Sequence, residues 1–270
     1  MMTDYPWSKL LLTSAASLGA VAVVMGLTCA VAITRRRHSI VDVVWGLGFA
    51  IVAVVGMVTS VGWNEDADDL RRLLVVAMTV AWGVRLGSYI GWRNAGQPDD
   101  PRYQSLFRGE NPRVAEAVTK VYLPQGLAMW FVSLPVQVAV HHDGSMGVIG
   151  WSGVAIWAVG LFFETVGDAQ MARFRGDPAN KGRVMDRGLW RYTRHPNYFG
   201  DSCVWFGIFL VAAEQWPGVL TVLSPVAMTY LLVAKTGKSL LERSMHTSKP
   251  GYADYVARTS GFVPWPPRQR

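Results

Sequence analysis

The sequence predicts an all-α membrane protein with seven transmembrane helices, the amino terminus outside and the carboxyl terminus in the cytoplasm. Hydrophobic residues make up 51% of the chain and charged residues only 17%, and the mean hydropathy is positive at +0.21. The charges are clustered between long apolar runs, a pattern typical of a chain that crosses a bilayer repeatedly. The 270 residues include only 2 cysteines, so neither a disulfide framework nor a CxxC metal site is available.

Seven apolar segments are candidates to cross the bilayer, which takes about 20 helical residues per span. Their approximate bounds are 9–33, 40–61, 73–92, 121–140, 146–168, 198–213 and a last segment that ends near 234. The first has a longer apolar core than the ~7–15 residues of a signal peptide and no basic segment before it, so we expect it to remain as a helix. Pro124 and Pro135 interrupt the fourth span, where neighbouring helices can satisfy the freed carbonyl groups.

The basic residues orient these spans. Of the 26 Lys and Arg residues, 22 lie in the tail and in the loops that follow the first, third and fifth spans. Because Lys and Arg are enriched in cytoplasmic loops, these loops and the tail are predicted to be cytoplasmic, in a plasma (inner) membrane protein. This asymmetry accounts for the net charge of +7 without a nucleic-acid partner.

Polar residues that suit a binding site gather at the cytoplasmic ends of two spans. The stretch 183–201 is rich in arginine and aromatic residues and runs into the sixth span. Within it Asn197 and Asp201 are one helical turn apart, as are Glu164 and Asp168 at the end of the fifth span. Ionisable residues in a span are costly and indicate function. The alternatives are that the acids only pair with nearby arginines, and that the basic loop only anchors to lipid headgroups.

This combination of side chains suits a nucleotide-sized anion. Arginine offers bidentate donors to phosphates, carboxylates and Asn accept hydrogen bonds from ribose and amide groups, and aromatic side chains stack on flat rings. The chain lacks the GxGxxG fingerprint and any βαβ pattern. If a nicotinamide nucleotide binds, its pocket must therefore lie among membrane helices. The His-His-Asp run at 141–143 is more typical of a loop end than of a metal site, so no metal is predicted.

A family resemblance is carried by the same residues. The run Arg-His-Pro-Asn-Tyr-Phe-Gly-Asp at 194–201, ahead of an apolar helix, resembles the motif of the steroid 5α-reductase-like membrane family, in its bacterial branch of unassigned function. The resemblance extends to 164–168, 177–180 and the tail 250–259, and covers about 160–267. A shorter Arg-His-Pro-x-Tyr motif also occurs in isoprenylcysteine-methyltransferase-like membrane enzymes, so the motif alone leaves the reaction open.

The resemblance implies one seven-helix domain over 1–270, with residues 1–120 on the substrate side and 121–270 forming an NADPH-binding half with a cytoplasmic tail. The residues that the motifs assign to the cofactor are Asn94, Glu164, Asp168, Arg175, Arg183, Arg194, His195, Asn197, Tyr198, Asp201, Tyr252, Tyr255 and Arg258. The arginines around Arg175 and Arg183 are expected to hold a 2′-phosphate. The last three residues share one helical face, so the tail is predicted to close the site as a lid; the alternative is an interfacial amphipathic helix.

The family's reaction implies hydride transfer from nicotinamide to the β-carbon of a polarised C=C bond. An acid–tyrosine pair on the second and third spans stabilises the developing charge on the carbonyl oxygen. Asp42 is the only acid of the second span, and the third span offers Trp82, Arg85 and Tyr89 where the family places its donor. Asp42 and Tyr89 are the predicted catalytic pair. The alternative for Asp42 is an ion pair with Arg85 or with the cluster at 35–37.

The resulting prediction is an NADPH-dependent reductase of an apolar, lipid-like or steroid-like substrate, surrounded by membrane lipids. A membrane methyltransferase that uses S-adenosylmethionine is the first alternative, and a non-enzymatic scaffold or lipid-binding partner is the second. Asp168 and Arg175 favour the larger cofactor, because the methyl donor has no phosphate to neutralise. The substrate and the oligomeric state stay open.

Overall fold

The computed structural model describes residues 5–107, 113–235, 242, 245 and 249–268. Most of these residues are helical, and no strand occurs among them. The helices are α1 (Trp7–Arg35), α2 (Ile40–Trp63), α3 (Asp69–Asn94), α4 (Pro101–Leu106), α5 (Val114–Ala117), α6 (Leu123–Val132), α7 (Leu134–Ala139), α8 (Val148–Gly176), α9 (Pro196–Ala213), α10 (Leu223–Tyr230) and α11 (Tyr252–Arg258). Parts of the predicted loop after the third span and of the predicted basic tail lie outside the described residues.

Four helices, α1, α2, α3 and α8, are long and apolar enough to cross a membrane. They coincide with the first, second, third and fifth predicted spans. The prediction of an all-helical membrane protein is therefore confirmed at this level. Each of these segments contains a long run of apolar residues, which makes it detectable as a span from the sequence alone.

The fourth predicted span is a composite. A π-helical turn, Val118–Tyr122, leads into α6 and then α7. Pro124 and Pro135 occupy the second positions of these two helices, where a missing backbone N–H removes no intrahelical hydrogen bond. The last predicted span is also composite, with a 3₁₀ turn before α10 and a π turn after it over the apolar run Gly218–Ala234.

The chain divides into two compact units, Met1–Gly150 with Ile208–Ser224 and Trp151–Gly207 with Pro225–Arg270. In the first unit α2 and α3 touch through their backbones. A Cβ atom added at Gly46 would lie 2.5 Å from the carbonyl oxygen of Gly83. Small residues allow such close approach between membrane helices, where dispersion contacts stabilise the pair.

The second unit contains a longer seam of the same kind between α8 and α9. Gly153, Gly160 and Gly167 recur every seven residues in α8, and Gly200 and Gly207 do so in α9. A Cβ atom at Gly200 would lie 2.5 Å from the carbonyl oxygen of Gly160, and one at Gly207 would lie 2.5 Å from that of Gly153. A seven-residue repeat keeps these glycines on one helix face. The seam therefore holds α8 and α9 in one register.

Candidate functional site

The glycine seam brings the predicted acidic residues of α8 and α9 together. Glu164, Asp168 and Asp201 are only 2%, 5% and 6% exposed. The side-chain amide of Asn197 donates a hydrogen bond to Oδ1 of Asp168 over 3.3 Å. A Cβ atom at Gly200, the neighbour of Asp201, would lie 2.6 Å from the backbone nitrogen of Glu164. The two acidic pairs predicted from helical spacing thus occupy one buried cluster.

Such a cluster concentrates hydrogen-bond acceptors in an apolar setting. Burying a carboxylate is costly unless it is hydrogen-bonded or paired, and this cost rises within a membrane span. Three carboxylates and one amide can accept hydrogen bonds from hydroxyl, amide or cationic donors. The cluster is therefore suited to a ligand rich in hydroxyl and amide groups.

Arg194 and His195 bind the tail segment. Arg194 donates from Nε to Oε1 of Glu242 over 2.9 Å and from Nη1 to the carbonyl oxygen of Thr259 over 2.7 Å. Nε2 of His195 lies 3.0 Å from the same Glu242 oxygen. Burial raises the pKa of Glu242, but the hydrogen bonds and charges of Arg194 and His195 outweigh burial and leave it below the ordinary value.

These contacts give protein partners to two motif residues that are predicted to bind cofactor. The guanidinium of Arg194 fastens the chain before α9 to the tail. Glu242 was not identified from the sequence, where it is one acid in a basic tail with no local signal of its partners. The His195 ring stacks in parallel on Tyr198, with ring centroids 5.3 Å apart. Both rings therefore lie at the start of α9, directly beside Asn197.

The two tail tyrosines are buried, as a lid requires, but Arg258 does not share their environment. Tyr252 and Tyr255 are buried, and the Tyr255 hydroxyl donates to the carbonyl oxygen of Trp190 over 2.5 Å. Burial raises the pKa of Tyr252 to about 12. Arg258 is exposed and pairs with Asp186 over 2.5 Å. The helix α11 therefore docks through its tyrosines and leaves its arginine outside.

The remaining predicted cofactor residues lie apart from the buried cluster. Arg175 and Arg183 are exposed, and the Lys249 ammonium donates to the Arg183 carbonyl oxygen over 2.7 Å. Burial and the charge of Arg175 lower the pKa of Lys249. Asn94 belongs to the first unit, where its carbonyl oxygen accepts a hydrogen bond from Arg37.

Asp42 has partners that the sequence did not predict. Its carboxylate accepts a hydrogen bond from the hydroxyl of Tyr103 over 2.5 Å and pairs with Arg102 over 3.2 Å. The Tyr89 ring instead lies beside the guanidinium groups of Arg85 and Arg93, 5.4 and 5.8 Å from its centroid. The predicted partner Tyr89 and the alternative partner Arg85 are thus replaced by two residues of α4.

The position of α4 has a specific cause. Asp99, just before this helix, accepts hydrogen bonds from the backbone N–H groups of His38 and Ser39 over 2.9 and 2.8 Å. The connection is thereby pinned at the start of α2. Hydrogen bonds to His38 and Ser39 lower the pKa of Asp99 against the opposing effect of burial. The sequence predicts a loop that can hold a short helix here, and it gives no signal of the contacts that Arg102 and Tyr103 make with Asp42.

These features define a helical membrane protein with a buried acid–amide cluster between α8 and α9. The chain belongs to the family described as protein of unknown function (DUF1295), whose profile matches residues 28–259; this family is associated with steroid 5α-reductase-like proteins. The chain is also similar to "Uncharacterized protein C594.04c" of Schizosaccharomyces pombe (strain 972 / ATCC 24843). The identity is 22% over 269 residues, covering 87% of this chain and 74% of the relative. No solved structure matches the chain.

Proposed function

We propose that the protein is an NADPH-dependent, membrane-embedded reductase that transfers a hydride to a C=C bond of a lipid-like or steroid-like substrate. The observation that carries the proposal is the hydrogen bond between Asn197 and Asp168, within a cluster that also buries Glu164 and Asp201. This donor and acceptor set fits the ribose hydroxyls and the carboxamide of a nicotinamide nucleotide. NADPH would supply the hydride when bound.

The residues of the second unit would bind and orient this cofactor. The carboxylates of Glu164, Asp168 and Asp201 would accept from hydroxyl donors, and the Asn197 amide can both donate and accept. The exposed Arg175 and Arg183 and the half-buried Lys249 would neutralise phosphate groups. Arg194 and His195 would act indirectly, by holding the tail next to the start of α9.

In the first unit, Tyr103 is the better candidate for the donor to a substrate carbonyl oxygen. Burial and the charge of Asp42 raise the pKa of Tyr103, so its hydroxyl keeps its proton at neutral pH. With Asp42 protonated, its carboxyl would donate to the phenol oxygen, and the Tyr103 hydroxyl would then donate its one proton to an oxygen that gains negative charge. The acid–tyrosine pair proposed for the reductase is therefore Asp42 with Tyr103, and Tyr89 is the alternative.

The proposal includes seven spans in a plasma membrane, with the amino terminus outside and the cofactor site in the cytoplasm. The helices α1, α2, α3 and α8 would be joined by α6 with α7, by α9, and by the composite run that contains α10. The location of 22 of 26 basic residues on one predicted side supports this orientation.

A direct test is mass spectrometry of nucleotides released from gently purified protein, followed by titration of the detergent-solubilised protein with NADPH, NADH and S-adenosylmethionine. We expect NADPH to be retained and to bind more tightly than NADH. Tight binding of S-adenosylmethionine without NADPH would replace the reductase by a methyltransferase. Binding of neither ligand would leave a non-enzymatic role.

A further inference from the structure

A solvent-open cavity of about 840 Å³ lies in the second unit, between the chain that precedes α9 and the chain that follows α11. Its lining includes Asp186, Arg187, Arg191, Arg258 and Arg268. Four guanidinium groups and one carboxylate therefore surround the same space. Asp168 and Asn197 are not among the lining residues, so the cavity is separate from the cluster assigned to the nucleotide.

Most of this positive charge is not balanced by ion pairs among the residues that the structure describes. Nη2 of Arg258 pairs with Oδ2 of Asp186 over 2.5 Å. Within the described part of the chain, no carboxylate forms an ion pair with Arg187, Arg191 or Arg268. Like charges that line one cavity repel each other, and a bound anion removes that repulsion. The cavity is therefore complementary to an anion with more than one negatively charged oxygen.

The two walls of the cavity are joined by backbone hydrogen bonds. The N–H of Arg268 donates to the carbonyl oxygen of Arg258 over 3.0 Å, and the N–H of Trp265 donates to that of Tyr192 over 3.0 Å. These bonds fix the end of the chain alongside the 3₁₀ turn Gly188–Arg191. The arginines are consequently presented from ordered backbone, which reduces the entropic cost of binding a ligand.

Exposed apolar side chains lie beside this charge. Tyr192, which lines the cavity, is 42% exposed, and its hydrogen-bonded neighbour Trp265 is 70% exposed. Val263 is also exposed. Tyr and Trp are enriched where a protein meets the headgroup region of a bilayer. Basic groups adjacent to membrane helices bind anionic headgroups, and α9 begins only a few residues after the cavity wall.

We propose that this cavity binds the phosphate of an anionic phospholipid headgroup through Arg187, Arg191 and Arg268. Guanidinium groups form bidentate hydrogen bonds with phosphate oxygens, and the volume lies within the range of about 300–1,000 Å³ of small-molecule sites. A soluble phosphate compound offers the same chemistry. The exposed Tyr192 and Trp265 favour the lipid, because an apolar rim contributes nothing to binding a free phosphate. The proposal does not depend on reductase activity.

The test is native mass spectrometry of the full-length protein in detergent, titrated with dioleoylphosphatidylglycerol, with dioleoylphosphatidylcholine and with inorganic pyrophosphate. The double variant Arg187→Gln/Arg191→Gln removes two lining cations and keeps the pair between Arg258 and Asp186. The matched control Arg173→Gln/Lys181→Gln removes two exposed cations of the same unit that do not line the cavity. We expect the cavity variant to bind phosphatidylglycerol about tenfold more weakly, and the control by less than about threefold.

A second variant, Arg187→Lys/Arg191→Lys, guards against a folding defect, because it keeps both charges and loses only the bidentate geometry. We expect its affinity to fall between those of the wild type and the Gln variant. Equal losses of phosphatidylglycerol affinity in the cavity variant and the control would overturn the proposal, because they would show that the lipid responds to overall surface charge. Tight binding of pyrophosphate with the same arginine dependence, without a preference for phosphatidylglycerol over phosphatidylcholine, would overturn the lipid assignment.

Discussion

The side-chain amide of Asn197 donates a hydrogen bond to Asp168 across the α8–α9 seam, over 3.3 Å. These two residues are 29 positions apart and meet only because Gly160 and Gly200 let the two helix backbones touch. The hydrogen bond orients the amide within a group of buried carboxylates. It is therefore the contact on which the proposed nucleotide site depends most directly.

Replacement of Asn197 by Ala is expected to weaken NADPH binding by roughly tenfold or more, since a hydrogen bond involving a charged group contributes about 1.5–3 kcal/mol. The measurement is nucleotide titration of the detergent-solubilised variant. Cys203→Ala, in the same helix, is the matched control and should bind as the wild type does. If Asn197→Ala binds NADPH normally but unfolds at a much lower temperature, the cluster is structural.

The glycine seam predicts a large difference between two glycine substitutions. Gly200→Ala places a Cβ atom 2.5 Å from a backbone oxygen and should destabilise the protein by about 1–3 kcal/mol, the usual cost of overpacking. Gly26→Ala in α1 meets nothing within 4 Å and should be neutral or slightly stabilising, because Ala favours helix over Gly. Thermal unfolding in detergent measures both. Equal stability of the two variants would contradict the seam.

A buried ion pair in the first unit predicts a pH-dependent stability. Arg71 is fully buried and its Nη2 lies 2.9 Å from Oε2 of Glu214, which also accepts hydrogen bonds from the N–H groups of Gly147 and Gly150. Burial raises the pKa of Glu214, but these hydrogen bonds and Arg71 outweigh it and lower the pKa from 4.5. A depressed pKa contributes stability above about pH 4.5, and that stability is lost as the pH falls through the folded-state pKa.

Glu214→Gln should therefore lower the free energy of unfolding by about 3 kcal/mol at pH 7, the typical cost of leaving a buried charge unpaired. The difference from the wild type should shrink as the pH falls below 4.5. The control is Asp69→Asn, which breaks the ion pair with Arg72 at a carboxylate side chain that is 94% exposed. It should cost less than about 1 kcal/mol. If the loss of unfolding free energy in Glu214→Gln did not change with pH, the charge of Glu214 would not be involved.

The proposed catalytic donor can be distinguished from its alternative by two matched substitutions. Tyr103→Phe removes the hydroxyl that contacts Asp42, whereas Tyr89→Phe removes one from a ring beside Arg85 and Arg93. With an accepted substrate, Tyr103→Phe should lower kcat by about 10²–10³, the usual effect of losing one oxyanion donor. Substrate-dependent NADPH oxidation is the readout. A larger loss in Tyr89→Phe would restore the original catalytic pair.

The predicted orientation places the carboxyl terminus in the cytoplasm. Reporters fused after Arg270 that are active on only one side of the membrane test this arrangement. A cytoplasm-dependent reporter is expected to be active, and a reporter that requires export is expected to be silent. The reverse result would place the cations of the stretch 183–201 outside the cell and would remove access to NADPH.

Local sequence patterns were sufficient to predict four long membrane helices. Apolar runs of about 20 residues identify spans because a bilayer leaves the backbone no partner other than its own helix, and α1, α2, α3 and α8 follow that rule. Spacing of i and i+4 also placed Glu164 near Asp168, and Asn197 near Asp201. The seven-residue glycine repeat that joins these two pairs was equally present in the sequence, and it was overlooked.

Partnerships between distant polar side chains depended on the tertiary fold. Asp42 meets Tyr103 because Asp99 ties the intervening chain to the start of α2, and Arg194 is engaged by Glu242 from 48 residues away. Hydrophobic periodicity reports how one segment faces its surroundings, and it carries no information about which carboxylate a particular arginine or tyrosine will meet. Those pairings arise when packed helices bring polar groups into an apolar interior, where each must find a partner or incur the cost of burial.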